Sequence, residues 1–158
     1  MTNFSDFYKT LNAQAASLIE GENHLIPNLA NISALLFQSL NNINWAGFYT
    51  VEKDNDKEYL LLGPFQGKPA CIRIPFGKGV CGTAVTKNQT QLVEDVHKFP
   101  GHIACDSASN SEIVIPIHKN GKVIAVLDID SPLLSRFTTD DKEGLEKLVE
   151  TLEKHLAN

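Results

Sequence analysis

Two apolar segments flank the dipeptide Asn120-Gly121, and this arrangement constrains the fold more than any other feature of the chain. An Asn-Gly pair between two such segments is a strong local signal for a β-hairpin. We therefore predict strands over 112–117 and 122–130. Because successive side chains of a strand point to opposite faces, the register of this hairpin decides which residues are buried.

Two registers are compatible with the turn. A two-residue turn sets Glu112 opposite Ile129, whereas a three-residue turn with Gly121 as a left-handed bulge residue sets Glu112 opposite Asp128. Burial favours the second register, because it gathers the apolar side chains on one face. That face is predicted to contain Ile113, Ile115, Ile117, Val123, Ala125, Leu127 and Ile129.

The same register predicts a carboxyl cluster on the opposite face, beside Val114. Glu112, Asp128 and Asp130 make up this cluster. An acidic pair at a strand end is often only a solvated surface. Here the pair ends an apolar strand, and crowded carboxylates raise one another's pKa, so that one carboxyl is expected to hold a proton near neutrality.

Helical spacing of apolar residues predicts helices at both ends of the chain. The first begins near Phe4 and stops before Gly21, the second is capped by Asn23, and the last is capped by Thr138 with Asp141. Further strands are predicted over 44–52, 58–62 and 71–74, with a polar turn over 53–57. A short helix is predicted before Asn88 and a loop over 98–110. This order predicts an α+β fold, an antiparallel sheet with the N- and C-terminal helices packed on one face.

Composition narrows the classes of function. A chain of 158 residues fits a single domain, predicted over residues 1–158. The net charge of −5 and the lack of a basic run argue against nucleic-acid binding. No apolar stretch is long enough for a membrane span, and the first residues, Met1 to Phe4, lack the pattern of a signal peptide. We therefore expect a cytoplasmic protein without a membrane partner.

Three cysteines are the candidate redox groups. Thiols stay reduced in the cytoplasm, where a disulfide is usually transient and catalytic, and an odd cysteine count fits a structural framework poorly. Cys81 lies at a predicted helix N-terminus, which favours a thiolate, whereas Cys105 lies in a polar loop near His102. Cys71 begins a predicted strand.

Two other interpretations of the cysteines stay open. Each cysteine is compatible with a small buried residue without a chemical role. Alternatively, Cys71, Cys81 and Cys105 with His97 or His102 would complete a zinc site, although no pair has the usual close spacing.

Trp45 and Tyr49 lie on one face of their predicted strand. Aromatic residues at such positions are more often part of a core than the wall of a ligand site. We keep both residues as candidates for substrate binding.

Four segments resemble the free methionine-(R)-sulfoxide reductases, a single-domain enzyme version of the GAF fold. The segments are 44–49 (NWAGFY), 62–67 (LGPFQG), 77–82 (GKGVCG) and 126–131 (VLDIDS). The glycine-rich segment alone indicates only a GAF domain. The three cysteines together with the three acids make the resemblance specific, and it covers nearly the whole chain.

The resemblance implies reduction of free L-methionine (R)-sulfoxide, with thioredoxin regenerating the enzyme and no cofactor. It implies Cys105 as the nucleophile and Cys71 as the resolving cysteine, while the helix-terminus argument favours Cys81. On this chemistry Glu112 or Asp128 would donate a proton to the sulfoxide and Asp130 would bind the substrate ammonium. Trp45 would pack against the methyl-sulfur end.

Two questions stay open from the sequence. A non-catalytic GAF sensory module that binds a small ligand is the alternative function, and such a module needs no exchangeable cysteines. A homodimer is one assembly that the sequence leaves open.

Overall fold

The computed structural model of the protein describes residues 4–103 and 105–157. Helices and strands are interspersed along these residues. The elements are α1 (Phe4–Ile19), α2 (Leu25–Ser39), β1 (Trp45–Asp54), β2 (Lys57–Gly67), β3 (Arg73–Pro75), α3 (Gly79–Lys87), β4 (Gln91–Val93), β5 (Ser111–Lys119), β6 (Lys122–Ser131) and α4 (Thr139–Leu156). The strands form one sheet in the order β3-β2-β1-β6-β5-β4. All neighbouring pairs are antiparallel, and the predicted α+β class is confirmed.

The two faces of the sheet are covered differently. Helices α1, α2 and α4 pack on one face and bury the larger apolar cluster, which includes Leu11, Leu36 and Leu148. Helix α3 and the loops cover the other face, where a smaller cluster includes Val80 and Val114. The predicted packing of the terminal helices on one face is therefore confirmed, and the second face is left for the candidate site.

The C-terminal helix begins at the predicted cap. The Thr138 hydroxyl accepts a hydrogen bond from the Asp141 backbone N–H, and the Asp141 carboxylate accepts one from the Thr138 backbone N–H at 2.8 Å. The Tyr8 hydroxyl also donates to Asp141 at 2.6 Å, which joins α1 to α4. One buried carboxylate thus caps α4 and fixes the packing of the two terminal helices.

Neither of the two predicted registers holds over the whole β5–β6 hairpin. Its turn contains two residues, Asn120 and Gly121, both with positive φ (54° and 77°), so Gly121 is not a bulge residue. The bulge instead falls at Ile124, because Val123 and Ala125 pair with consecutive residues of β5. As a result Glu112 faces Asp130, and the expected pairing with Asp128 is wrong by two residues.

The predicted sharing of faces is confirmed at all but one position. A shift of two residues leaves the facing of every side chain unchanged, so Glu112 and Asp128 lie on the same side of the sheet. Val123 is the exception. Because it precedes the bulge, it packs on the side of α3, and Ile124 takes its expected place against the larger cluster.

Several predicted boundaries are corrected. Helix α2 begins at Leu25, with His24 rather than Asn23 in the N-cap position. The polar turn over 53–57 is a two-residue turn, because Asn55 and Asp56 adopt the left-handed conformation that these residue types tolerate. The predicted strand over 71–74 is shorter, and Cys71 lies before it.

The predicted loop over 98–110 is largely confirmed. The described residues 99–103 and 105–110 have no regular secondary structure, and Ala104 lies outside the described residues, as do Met1 to Asn3. The short strand β4 and a 3-10 turn from Val96 to Lys98 were not predicted. Within the described parts of the chain, no helix combines the length and the apolar character needed to cross a membrane.

Candidate active site

The three predicted acids meet on the face of the sheet that carries α3. Glu112 lies directly opposite Asp130 in the β5–β6 ladder, and Asp128 lies opposite Val114. Glu112 and Asp128 are only 7% and 5% exposed, and Asp130 is partly buried. Hydrogen bonds link the side chain of Asp128 to Glu112 and Asp130. Two carboxyl groups share a hydrogen bond only when one of them carries a proton, so this arrangement favours protonation within the cluster.

Burial sets the protonation of the cluster. Loss of hydration raises the pKa of Glu112 well above its usual range, and the neighbouring charges of Asp128 and Asp130 raise it further. Loss of hydration and the charge of Asp128 likewise raise the pKa of Asp130 well above its usual range. The pKa of Asp128 is also raised by burial, but hydrogen bonds from Glu112 and Asp130 oppose this effect. Burial therefore raises the pKa of all three carboxyls.

Cys81 lies in the first turn of α3 and contacts the cluster. Its side chain is 4% exposed and hydrogen-bonds to Asp128. Burial, followed by the charges of Asp128 and Glu112, raises the pKa of this thiol well above its usual value. The expectation that the helix N-terminus makes Cys81 a thiolate is wrong, because desolvation and nearby acids outweigh the dipole.

A disulfide joins the other two cysteines. Cys71 and Cys105 are 34 residues apart in sequence, and their α-carbons lie 5.5 Å from each other. Both residues are half-buried, whereas Cys81 remains a free, buried thiol. The structure therefore shows a disulfide form of the chain, in which the two partly exposed cysteines are bonded to each other.

A cleft of about 540 Å³, including its mouth, connects the disulfide to the carboxyl cluster. Cys105 and His102 line it from the loop side, and Lys78 lines it at the start of α3. The remaining lining residues are Trp45, Tyr49, Pro69, Ala70, Ile74, Gly79, Val80, Cys81, Ile103, Asp106, Ser109, Glu112, Asp128 and Asp130. All predicted site residues except Cys71 line this one cleft, and Cys71 is bonded to a residue that does.

Aromatic rings form one wall of the cleft. Trp45 stacks on Tyr49 with ring centroids 5.9 Å apart, and Phe65 stacks on Trp45 at 5.1 Å. The Trp45 indole N–H donates to the carbonyl of Lys68 at 3.1 Å. The Tyr49 hydroxyl donates to the carbonyl of Cys71 at 3.0 Å, and so ties the disulfide segment to the wall.

Gly47 lies between the two rings on β1, and the space above it is filled. A Cβ built at this position would meet the Cβ of Phe65 at 2.3 Å. Any larger residue would therefore displace Phe65, which packs on Trp45. The absence of a side chain at Gly47 allows the stack to close.

A hydrogen-bond network fixes the loop that carries Cys105. Asn44 Nδ2 donates to the Asp106 carboxylate at 3.0 Å and to Ser109 Oγ at 3.1 Å. Ser109 Oγ lies 3.4 Å from the Asp130 carboxylate. The residue next to Cys105 is thus connected, through two polar side chains, to the carboxyl cluster.

Comparison with known proteins identifies the family. The GAF domain family model matches residues 28–157. The free methionine-R-sulfoxide reductase of Escherichia coli is 57% identical over 155 residues, which cover 98% of this chain and 92% of the relative. This chain belongs to the free methionine-R-sulfoxide reductase family.

Solved structures of free methionine-R-sulfoxide reductases share the whole architecture. The structure of fRMsr of Staphylococcus aureus in complex with substrate is 58% identical, with a TM-score of 0.89 and 95% of each chain covered. The enzyme of Neisseria meningitidis in complex with its substrate is 42% identical, with a TM-score of 0.91, 99% of this chain and 92% of that one covered. The family predicted from the four segments is therefore confirmed, as is its GAF fold.

A zinc site made of the three cysteines and one histidine, the alternative left open by the sequence, does not fit the structure. Cys71 and Cys105 are bonded to each other, so two of the three expected thiolate ligands are consumed. His97 is exposed, and its Nε2 lies 2.9 Å from Asn110 Oδ1. Of the two histidines, His102 lines the cleft, where burial lowers its pKa.

Sequence reasoning missed Asn44, Asp106 and Ser109 as contributors to this site. The sequence contained one local signal for these residues, a turn at Asp106. Asp106 accepts a hydrogen bond from the backbone N–H of Ala108 at 2.9 Å, the geometry of an Asx turn, which an Asp-x-x-Ser loop permits. The partnership with Asn44 spans 62 residues and depends on the β1–β6 pairing, which local patterns do not report.

Proposed function

We propose that this chain reduces free methionine (R)-sulfoxide to methionine through its cysteine pair. One observation carries the proposal, namely that the Cys71–Cys105 disulfide lies on a cleft lined by carboxyls whose pKa values are raised by burial. Relatives named for this activity over almost the same length support it. Residues 1–158 are proposed to act as one catalytic domain.

The reaction requires a proton at the sulfoxide oxygen. Sulfoxide sulfur becomes electrophilic only when its oxygen is protonated or strongly hydrogen-bonded. Glu112 is proposed as the donor, because burial raises the pKa of its carboxyl well above its usual range. A buried acid with a raised pKa is matched to this role near the operating pH.

Cys105 is proposed as the nucleophile. Its thiolate attacks the sulfur of the protonated sulfoxide, and the sulfur–sulfur bond so formed breaks together with the original sulfur–oxygen bond as the oxygen transfers to the cysteine. The cysteine is then a sulfenic acid, and methionine leaves. Cys105 lines the cleft and is half-exposed, whereas Cys81 is buried beside acids that disfavour its thiolate. Access and charge therefore support Cys105 over Cys81.

Cys71 is proposed to resolve the intermediate. Its thiol attacks the sulfenic acid of Cys105, water leaves, and the disulfide forms. The separation of 5.5 Å between the two α-carbons is typical of a native disulfide. The described form then corresponds to the end of the oxidative half of the cycle.

Selectivity for the free amino acid is proposed to come from the remaining acids. Asp128 and Asp130 each have a buried oxygen without a hydrogen-bond partner among the described residues. The substrate ammonium would supply that partner, and a methionine inside a peptide has no ammonium to offer. Trp45 and Tyr49 are proposed to pack against the methyl-sulfur end of the substrate.

An external dithiol must reduce the disulfide, and thioredoxin is the proposed donor. Exchange through a mixed disulfide regenerates both thiols. This cycle needs a reducing compartment, so a cytoplasmic location is proposed with it. A homodimer remains a proposal for the assembly.

The test is a stoichiometric assay of the reduced protein. Purified protein is reduced, freed of reductant and mixed with free methionine (R)-sulfoxide, and methionine is measured. One methionine per chain is expected without thioredoxin, and continuous turnover is expected with thioredoxin and its reductase. Ligand binding without any methionine would instead identify a sensory GAF module.

A further inference from the structure

A thiol and two carboxyls converge at the floor of the cleft. The Sγ of Cys81 and one carboxyl oxygen each of Glu112 and Asp128 all lie within 4.8 Å of one another. The three side chains are 4%, 7% and 5% exposed. The proposed reaction uses Glu112 and Asp128 but assigns nothing to the thiol of Cys81.

A second observation indicates a ligand at this point. Asp128 Oδ1 is fully buried and has no hydrogen-bond partner among the described residues, and the same holds for Asp130 Oδ1. A buried carboxylate oxygen without a partner is costly unless a proton, a donor or a cation compensates it. The positively charged or titratable bases that line the cleft are Lys78 and His102, against a larger number of acids.

We propose that Cys81, Glu112 and Asp128 form a binding site for a thiophilic divalent cation such as Zn²⁺. A tetrahedral zinc ion with bonds of about 2.3 Å to sulfur and about 2.1 Å to oxygen places its ligand atoms roughly 3.4–3.6 Å apart. The observed limit of 4.8 Å requires only a side-chain adjustment of about 1 Å. The thiol, and any protonated carboxyl among the ligands, release their protons to solvent as the bonds to the metal form, and the fourth position opens towards the cleft.

The donor set determines which cations are expected. One thiolate with two carboxylates suits Zn²⁺ or Co²⁺, whereas Mg²⁺ and Ca²⁺ prefer oxygen ligands alone. The cation would occupy the acids that the proposed function assigns to the substrate. Metal and substrate are therefore expected to exclude each other, an expectation that rests on the proposed function, whereas metal binding itself does not.

The disulfide form of the full chain allows a clean test. The chain has three cysteines, and the disulfide removes two of them, so Cys81 is the available thiol. Oxidised, untagged protein is titrated with Co²⁺ and followed by absorption. A thiolate-to-cobalt charge-transfer band, together with visible bands of four-coordinate intensity, is expected at one Co²⁺ per chain. Zn²⁺ is expected to abolish both, and excess Mg²⁺ to leave them unchanged.

Variants locate the site. Cys81→Ser is expected to lose the charge-transfer band and to weaken Co²⁺ binding at least about tenfold, the order of loss known for impaired metal sites. Glu112→Gln is expected to weaken binding similarly while keeping the band. Glu94→Gln, which alters an exposed carboxylate outside the cleft, is the matched control and should bind as the parent does.

Loss of the band in Cys81→Ser would be uninformative if that variant misfolded. A variant with both Cys71→Ser and Cys105→Ser avoids this problem, because it keeps Cys81 as its single thiol. It is expected to retain the charge-transfer band. The proposal is overturned if oxidised parent protein shows no thiolate band, or if Cys81→Ser retains band and affinity. Loss of the band in the double variant, with its fold intact by circular dichroism, would equally overturn it. The proposed reductase activity is measured separately, by methionine release from metal-free protein.

Discussion

Glu112 and Asp130 lie directly opposite each other on β5 and β6, with both side chains on the face covered by α3. Like charges at facing positions of an antiparallel pair destabilise a sheet. Here burial raises the pKa of both carboxyls, which favours protonated forms that do not repel each other. An acid with a raised pKa is suited to donate a proton near neutral pH.

Replacement of the cysteines is expected to separate the two halves of the cycle. Cys105→Ser should release no methionine in a single-turnover assay, because the proposed nucleophile is missing. Cys71→Ser should release one equivalent and then fail to turn over with thioredoxin, because the sulfenic acid lacks its partner. Rapid-quench measurement of methionine distinguishes them. A full equivalent from Cys105→Ser, with none from Cys81→Ser, would transfer the role of nucleophile to Cys81.

Glu112→Gln is expected to slow the chemical step more than it weakens binding. Proton donation by a positioned acid typically contributes about 10²–10⁴-fold to a rate, and the amide cannot supply that proton. Single-turnover rates at saturating sulfoxide measure the effect, with Glu94→Gln as the exposed control. A rate within about twofold of the parent would remove Glu112 from the proposed acid role.

Asp130→Asn is expected to weaken substrate binding by about 1–3 kcal/mol, the usual cost of removing one partner from a buried polar interaction. The partner lost here would be the acceptor of the substrate ammonium. Equilibrium binding of methionine to the reduced protein measures it, compared with the surface variant Asp54→Asn. Unchanged affinity in Asp130→Asn would assign the ammonium to another acid of the cluster.

The stability of the protein is expected to fall as pH rises above the ordinary carboxyl range. Because burial raises the pKa of Glu112 and Asp130 above 4.5 and 3.8, the native state retains protons that the unfolded state has released. The free energy of unfolding is then highest below those ordinary values and decreases as pH rises through the raised pKa. Each retained proton contributes a slope of about 1.4 kcal/mol per pH unit.

Glu112→Gln tests this sign, because it removes one titrating group from the cluster. Urea unfolding over a pH series should give a shallower decline for Glu112→Gln than for the parent, with Glu94→Gln following the parent. Parallel curves for all three proteins would show that Glu112 does not bind an extra proton in the native state.

Gly47→Ala is expected to destabilise the protein by about 1–3 kcal/mol, as overpacking of a filled site usually does. The added Cβ would lie 2.3 Å from the Cβ of Phe65 and would push that ring from Trp45. Chemical denaturation measures the loss, and tryptophan fluorescence reports the disturbed stack. The same variant should raise KM if the aromatic wall contacts substrate.

The parts of the site that follow from local pattern were predictable from the sequence. Strand period placed Glu112 and Asp128 on one face, and the same period placed Trp45 and Tyr49 together. The pairing of Cys71 with Cys105, by contrast, came only from the family resemblance. No local pattern relates two cysteines that are 34 residues apart and lie in irregular segments.

Two errors show what local pattern cannot supply. The helix-terminus argument for Cys81 considered the dipole alone, whereas the acids that raise its pKa arrive from strands 31 and more residues away. The hairpin register was wrong because a bulge at Ile124 was not foreseen, and nothing in the residue types at 122–125 distinguishes it. For Cys81, contacts between distant elements outweighed a local preference.

The bulge at Ile124 decides which face of the sheet the acids of β6 occupy. With a two-residue turn and these same residues paired without a bulge, Glu112 would face Ile129, and one strand would present its acids to the helices instead of the cleft. Deletion of Ile124 would instead leave a regular ladder in which Glu112 still faces Asp130, because the bulge holds the one extra residue of β6. Homologous chains and engineered variants are therefore expected to tolerate the loss of that residue.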